Sequence, residues 1–200
     1  MYASLGRAVK VPRPRCPSCS RPVVFWSGYW RHVRWRERER KIFIPRVRCR
    51  ACGVSHALLP AFVLARRLDA AESAGAVIGQ VAAAASGVRP AAAAAGVPYT
   101  TARGWVRRFA GRAGGLAVSF SALCAELGGE VVRPDPDRRF RWAAGAIGAA
   151  FTAAAALPGW AALGAWRFAS TVTGGSLLAA NASSPWLVIG SRRFMPPRSP

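Results

Sequence analysis

The chain has 200 residues, and its 29 lysines and arginines against eight acidic residues give a formal net charge of +21. A field of this sign attracts polyanions, nucleic acid first and an anionic membrane surface second. The first ten residues lack the apolar core of a secretory signal, which argues against an exported, disulfide-bonded protein. We therefore expect a cytoplasmic, nucleoid-associated protein with reduced thiols.

Four of the five cysteines form two CxxC pairs, Cys16/Cys19 and Cys49/Cys52, separated by 29 residues. The tight turn of a CxxC knuckle aims both sulfurs at one point, and two knuckles joined by a hairpin supply the four thiolates that zinc prefers. A closed shell of four thiolates leaves no open coordination position. The sequence therefore predicts a structural Zn²⁺ ion, with Gly53 providing a left-handed turn after the last ligand.

Two other interpretations of the cysteines stay open. A redox CxxC pair usually occurs singly on a thioredoxin-like βαβ unit, and no such pattern surrounds either pair. His56 lies four residues after Cys52 and could replace one sulfur. With four sulfurs present, we expect His56 to pack or to contact phosphate instead.

The residues between the cysteine pairs are predicted to form a β-hairpin or a three-stranded ribbon, because short apolar runs flank turn residues. The hairpin mixes basic residues with four aromatic ones, Trp26, Tyr29, Trp30 and Trp35. Aromatic rings can stack on bases, but a ribbon this small needs apolar area, so we expect at least two of them to pack in its core. Nucleic-acid contacts are predicted for the arginines Arg34, Arg36, Arg46 and Arg48.

Three helices are predicted in the next segment. The first spans about 72–86, and Pro90 opens a short second helix at a position where its missing N–H is tolerated. Gly96 provides the sharp turn into a third helix over 98–110, and Val97 is expected to fill the core under that turn. This order of elements is typical of a helix-turn-helix.

The third helix has an apolar face and a polar face. Residues that recur at steps of three, one and three are predicted to be buried: Ala102, Trp105, Val106 and Phe109. The hydroxyl and guanidinium groups that can contact base edges and phosphates fall elsewhere on the helix. The predicted DNA-contacting residues are Tyr99, Thr100, Thr101, Arg103, Arg107 and Arg108.

Two stretches, RCRACGVSHALLP and AAAAAGVPYTTARGWVRRF, carry a family resemblance. Together they resemble the front end of insertion-sequence transposases, and more closely a bacterial family of unknown function that keeps this front end in short proteins. The resemblance implies that the four paired cysteines hold zinc and that the helix over 98–110 is the recognition helix. The sequence departs from the pattern at Ala102 and Gly104, where such helices carry larger residues.

The remainder of the chain is rich in alanine. A short helix is predicted at about 116–127, and two further helices flank residues 157–159. The segment 142–166 has no charge over 25 residues, a length that could span a bilayer, but Pro158-Gly159 divides it and alanine is only weakly apolar. A soluble helical bundle explains the segment better, with Cys124 as a small core residue.

The sequence thus predicts a mainly α protein with a small β zinc ribbon. Its expected parts are a basic flexible arm at 1–13, the four-cysteine ribbon at 14–62, a central helix-turn-helix at 63–112, a C-terminal Ala-rich helical region at 113–182 and a tail at 183–200 that is disordered at its end. The expected partner is duplex DNA, a homodimer is possible, and no small-molecule substrate is expected. The alternatives are an RNA-binding zinc ribbon and a membrane-associated protein anchored through 142–166.

Catalysis is not expected. A transposase nuclease needs three carboxylates on a large mixed sheet, and the acidic residues after Gly111 all fall in one short helix and one loop. We therefore expect an accessory factor, a regulator or a mobile-element remnant without a catalytic domain.

Overall fold

The computed structural model describes residues 2–11, 13–35 and 38–179. Its three antiparallel strands are β1 (Val23–Trp35), β2 (Arg38–Cys49) and β3 (Ser55–Ala57), in the spatial order β1-β2-β3. The long hairpin runs in register from Val23 opposite Cys49 to Trp35 opposite Arg38, with an irregularity between Phe25 and Ser27. Trp26 lies at this irregularity and has no partner in the register, so it forms a β-bulge.

The core of the hairpin is aliphatic. Val33, Ile42 and Ile44 are buried against Val63 and Ala70 from the segment that follows the sheet. The expectation that at least two of the hairpin aromatics fill this core is wrong. Trp26, Tyr29, Trp30 and Trp35 are 59%, 40%, 42% and 38% exposed, because aliphatic side chains and the following segment already occupy the interior.

The start of the chain forms helical turns in the segment predicted as a flexible arm. Residues Tyr2–Leu5 form a helical turn, α1, which continues as a 3-10 turn over Gly6–Ala8. The Tyr2 ring packs edge-on against Phe62 with centroids 5.6 Å apart, and its hydroxyl donates a hydrogen bond to the Phe43 carbonyl at 3.2 Å. These long-range contacts hold the segment against the ribbon, and nothing local in the sequence indicates them.

Three helices follow the sheet: α2 (Ala71–Ala82), α3 (Val88–Ala94) and α4 (Tyr99–Ala110). The first is shorter than predicted because Ala84 adopts a left-handed conformation and the Ala85 N–H closes back onto the Gln80 carbonyl at 3.0 Å. The turn between α3 and α4 matches the prediction. Gly96 has a φ of +65°, a conformation that suits glycine.

The predicted buried face of α4 is confirmed at its main positions. Ala102, Trp105 and Phe109 are buried, Val106 is half-buried, and Val97 is buried beneath the turn. The face packs against α2 and α3, which places the opposite side of α4 at the surface.

The rest of the described chain forms α5 (Ala113–Glu126), α6 (Arg139–Ala155), a 3-10 turn (Ala161–Leu163) and α7 (Ala165–Val172). One hydrophobic core runs from Leu64 to Leu178 and includes residues of α2 to α7, so the segments predicted at 63–112 and 113–182 share a core. Cys124 is buried there, and its thiol donates to the Glu130 carbonyl at 3.3 Å.

Within the described residues, no helix combines the length and apolar character needed to cross a bilayer. The uncharged run at 142–166 is divided between most of α6, the 3-10 turn and the start of α7. The predicted tail at 183–200 lies outside the described residues.

Candidate functional site

The hairpin brings the two CxxC pairs together. Cys49 ends β2 and pairs with Val23 at the start of β1, which places it beside the first knuckle. Each knuckle is closed by backbone hydrogen bonds: the Ser20 N–H donates to the Cys16 carbonyl at 2.8 Å, and the Gly53 N–H donates to the Cys49 carbonyl at 2.9 Å. Gly53 has a φ of +72°, as its position after the second knuckle predicted.

The four sulfurs form one cluster. The Sγ atoms of Cys16, Cys19, Cys49 and Cys52 all lie within 4.8 Å of one another. Two of the distances between the knuckles are 3.6 Å, from the Cys16 Sγ to the Cys52 Sγ, and 3.4 Å, from the Cys19 Sγ to the Cys49 Sγ. The four cysteines are free thiols placed so that they could hold a metal ion.

The knuckles favour the thiolate form at particular sulfurs. Burial raises the pKa of Cys16, but hydrogen bonds from the backbone of Ser18 and Cys19 and from the side chains of His56 and Cys52 outweigh it and lower the pKa to about 5. The backbone of Cys52 lowers the pKa of Cys49. Four sulfurs this close cannot all ionise without a cation among them, because like charges repel.

Cys19 shows the opposite effect. The backbone of Arg21 lowers its pKa, but its neighbouring cysteines and burial together raise it to about 12. A bound cation removes this penalty, because metal ligation displaces the thiol proton.

His56 lies beside the cluster. Its Nε2 is 3.6 Å from the Cys16 Sγ, and its residue pairs with Val47 in the sheet. Among the described residues, the four cysteines form a group whose ligand atoms all lie close together, and His56 is not part of that group. This position suits a side chain that supports a sulfur from outside the cluster.

The surface of α4 carries most of the polar residues that the sequence singled out. Tyr99, Thr100, Arg103 and Arg107 are exposed, and Thr101 and Arg108 are half-buried. The Arg89 guanidinium lies over the Tyr99 ring, 5.0 Å from its centroid. The polar and cationic groups of this helix therefore share its accessible side.

An open groove of about 390 Å³ lies between α4 and the linker, the segment 58–70 that joins the ribbon to α2. Cationic and hydroxyl side chains line it: Arg66, Arg67, Thr100, Thr101, Arg107 and Arg108. Asp69 also lines the groove, but Arg34 binds its carboxylate at 2.6 Å. The groove therefore presents an excess of positive charge.

Two arginines on opposite walls of this groove repel each other. Burial lowers the pKa of Arg67, and the charge of Arg108 lowers it further. Arg67 also donates to the Leu178 carbonyl at 3.3 Å, which fixes it against the C-terminal part of the core. An anion between the two guanidinium groups would relieve their repulsion.

Gly104, a departure from the usual recognition-helix pattern, has a steric role. A Cβ at this position would lie 2.8 Å from the Arg108 Nη1, so glycine leaves room for the Arg108 guanidinium to fold back over α4. The helix continues unbroken through Gly104.

The ribbon arginines differ in whether their side chains are bound to other residues. Arg34 was predicted to contact nucleic acid, but its side chain is bound to Asp69, because the two residues face each other where β1 meets the linker. Arg46 donates to the Ser55 hydroxyl at 2.9 Å. Arg48 is exposed, and its guanidinium lies 5.0 Å from the Trp26 centroid. Arg36 lies outside the described residues.

Sequence reasoning missed Arg66 and Arg67, and it counted Arg31 among the basic residues of the hairpin without predicting its backbone contacts. Arg31 donates to the carbonyls of Leu64 (at 2.7 Å) and Arg67. Together with Tyr29, Arg66 and Arg67, it lines a second groove. Arg66 and Arg67 line the first groove as well. The available signal was the adjacent pair Arg66-Arg67 between the ribbon and the first helix, a basic pair at a domain junction.

Comparison with known proteins gives a match for the part of the chain that contains the cysteine cluster and the linker. Residues 16–95 match the profile of a family described as a domain of unknown function (DUF6431). The DUF6431 match covers less than half of the chain; it includes the four clustered cysteines, the linker, α2 and α3, and ends before α4. The chain has no significant match among curated proteins or among solved structures.

Proposed function

We propose that this protein binds duplex DNA through α4 and the groove beside it, on a scaffold held together by a structural zinc ion. The resemblance to the front end of insertion-sequence transposases supports the same role. On this proposal the chain is an accessory or regulatory factor without a nuclease domain, or a remnant of a mobile element.

The choice of zinc follows from the donor set and the spacing. A tetrahedron with zinc–sulfur bonds of about 2.3 Å has sulfur–sulfur edges of about 3.8 Å. The Cys16–Cys52 and Cys19–Cys49 sulfur–sulfur distances, 3.6 Å and 3.4 Å, lie near that value. Thiolate ligands from Cys16, Cys19, Cys49 and Cys52 suit zinc, and four of them leave no position for a substrate. The ion would then link the start of β1 to the end of β2.

The composition of the groove is the main support for the proposal of DNA binding. Four arginines line it, and the acidic residue beside them is paired with Arg34. Guanidinium groups bind phosphate oxygens through paired N–H donors, and neutralising phosphates releases counterions from DNA. The hydroxyls of Thr100 and Thr101 add donors on the same wall. The groove therefore has the composition of a phosphate-binding surface.

The shape of α4 suits a duplex. A helix of 12 residues is about 18 Å long, and the major groove, about 12 Å wide, admits one α-helix. Trp105 and Phe109 hold α4 to the core by its apolar side. Arg103 and Arg107 on the opposite side are then free to meet bases or phosphates, while Arg66 and Arg67 are placed to meet the flanking backbone.

The test is a comparison of three nucleic acids. Affinity for a duplex DNA, the matching single strand and a folded RNA of equal charge would be measured by fluorescence anisotropy across a salt series. We expect the duplex to bind most tightly at every salt concentration. The logarithm of its association constant K should fall linearly as the logarithm of the salt concentration rises. Equal affinity for the duplex and the folded RNA would contradict the proposal, because the major groove of A-form RNA is too deep and narrow to be read by side chains.

A further inference from the structure

The β-bulge of the hairpin carries two exposed rings. Phe25 is 50% exposed and Trp26 is 59% exposed, the largest value among the exposed aromatic residues of the described chain. A bulge leaves its extra residue outside the ladder and turns its side chain away from the regular pleat. This explains why Trp26 stands out from the hairpin surface.

These rings do not serve the core below them. The small core at this end of the ribbon consists of Val23 and Val47 with Cys16 and Cys49, all buried, and includes neither ring. The register places the Phe25 side chain on the face of Val47, whereas Trp26 lies beside Arg48 on the opposite face. Burying an aromatic side chain is strongly favourable, so the most exposed ring, Trp26, indicates a surface that is covered by something else.

The charges around the rings indicate what could cover them. The Arg13 guanidinium lies 5.7 Å from the Phe25 centroid, and the Arg48 guanidinium lies 5.0 Å from the Trp26 centroid. Among the first 68 residues of the sequence, the only acidic ones are Glu37 and Glu39. Glu39 pairs with Arg34 at the far end of the hairpin from the bulge. A ring that lies beside a cation and far from carboxylates does not suit a basic or a neutral apolar partner. It suits a polyanion that carries planar aromatic groups, as nucleic acid does.

We propose that Trp26 is a stacking site for an unpaired base of a DNA strand, with Arg48 binding the adjacent phosphate. Bases within a duplex are stacked on each other and cannot offer their faces, so this site selects single-stranded segments. The assignment to DNA rather than RNA rests on the function proposed above. The site itself is separate from the groove beside α4.

The two sites lie on one continuous element. Trp26 and Arg31 are both on β1, and Arg31 lines the second groove with Arg66 and Arg67. Five residues of extended strand span about 17 Å. A DNA end or junction could therefore place its duplex part at α4 and its unpaired part at the bulge.

The experiment uses the zinc-loaded full chain and the variant Trp26→Leu, which keeps an apolar side chain but removes the aromatic face. Trp26→Phe is the matched control because it retains a ring. The probes are a 20-nucleotide oligo-dT, a blunt DNA duplex, the same duplex with a ten-nucleotide dT overhang, and a 20-nucleotide oligo-rU. Thermal unfolding and zinc content establish that all variants fold alike.

We expect Trp26→Leu to weaken binding to oligo-dT and to the overhang at least about fivefold, the effect of losing one stacked base. Its binding to the blunt duplex should stay within about twofold of the parent, and Trp26→Phe should keep most of the affinity for oligo-dT. An equal loss on all four probes, or no loss on oligo-dT, would overturn the stacking site. Tighter binding to oligo-rU than to oligo-dT would overturn its assignment to DNA.

The two proposals fail in different ways. If the blunt duplex does not bind while oligo-dT binds in a Trp26-dependent manner, the function proposed for α4 is wrong and the stacking site stands. If the blunt duplex binds and Trp26→Leu changes nothing on any probe, the stacking site is wrong and the role of α4 stands.

Discussion

The Arg34 Nε lies 2.6 Å from the Asp69 Oδ1, an ion pair that joins β1 of the ribbon to the residue two positions before α2. The backbone strengthens this junction: the Arg34 N–H donates to the Leu68 carbonyl at 2.8 Å, and the Ala70 N–H donates to the Arg34 carbonyl at 2.9 Å. The hydrogen bond that Arg34 donates to the Asp69 carboxylate raises the pKa of Arg34. The ribbon and the helices are therefore joined through specific polar contacts, which fixes the walls of the groove.

Asp69→Ala should lower the free energy of unfolding by about 1–3 kcal/mol, because it removes a charged hydrogen bond whose acceptor is nearly fully buried. Chemical denaturation measures the change. Asp137→Ala is the control, since it removes the same charge from an exposed position in the loop before α6. Similar losses for the two variants would show that general charge repulsion, and not the junction, accounts for the effect.

Gly75→Ala and Gly79→Ala form a matched pair on α2. A Cβ at Gly75 would lie 2.0 Å from the Trp166 ring, whereas one at Gly79 would lie 3.8 Å from it, an ordinary contact. We expect Gly75→Ala to destabilise the protein by about 1–3 kcal/mol through overpacking. Gly79→Ala should be neutral or stabilising by up to about 1 kcal/mol, because alanine is the better helix former. Two equally tolerated substitutions would contradict the packing of Trp166 on α2.

Gly104→Ala separates stability from binding. Alanine should stabilise α4 by up to about 1 kcal/mol, since glycine is unfavourable inside a helix. The new Cβ would displace the Arg108 guanidinium from its place over the helix, so duplex affinity should fall by about 1 kcal/mol if that placement matters for phosphate binding. Thermal unfolding and anisotropy on the same samples provide both values. A variant that gains stability and keeps its full affinity would show that the observed position of Arg108 is not used.

Cys49→Ser should abolish stoichiometric metal binding and unfold the ribbon, because a structural site contributes its binding free energy to folding. Metal analysis by mass spectrometry and the dispersion of amide resonances would report the two effects. Cys124→Ser is the control: Cys124 lies in the helical core, outside the sulfur cluster. One zinc ion per chain in Cys124→Ser and none in Cys49→Ser is the expected pattern, and retention of the metal by Cys49→Ser would contradict it.

Local signals in the sequence were sufficient for several parts of this structure. The two CxxC spacings predicted the sulfur cluster, and the helical period of Ala102, Trp105 and Phe109 predicted the buried face of α4. The turn at Gly96 was predictable because glycine is the residue that best tolerates a positive φ. Each of these features depends on residues close together in the chain or on a ligand set with a fixed geometry.

Other parts depend on contacts between distant residues. Tyr2 is ordered by Phe62 and by the Phe43 carbonyl, and Arg34 is bound by Asp69, partners that lie 35 or more residues away. The exposed state of Trp26 could not be read from composition, because it follows from a bulge and from aliphatic residues that fill the core in its place. The groove itself arises only when the linker packs beside α4.

The most direct measurement is the salt dependence of duplex binding by the parent and by Arg107→Ala/Arg108→Ala, with Arg133→Ala, an exposed arginine in the loop before α6, as the charge control. If both groove arginines neutralise phosphates, the plot of log K against log salt becomes shallower by about two in the double variant and affinity falls, while the control keeps the parent's slope. A double variant whose slope and affinity equal those of the parent would contradict binding through α4 and its groove.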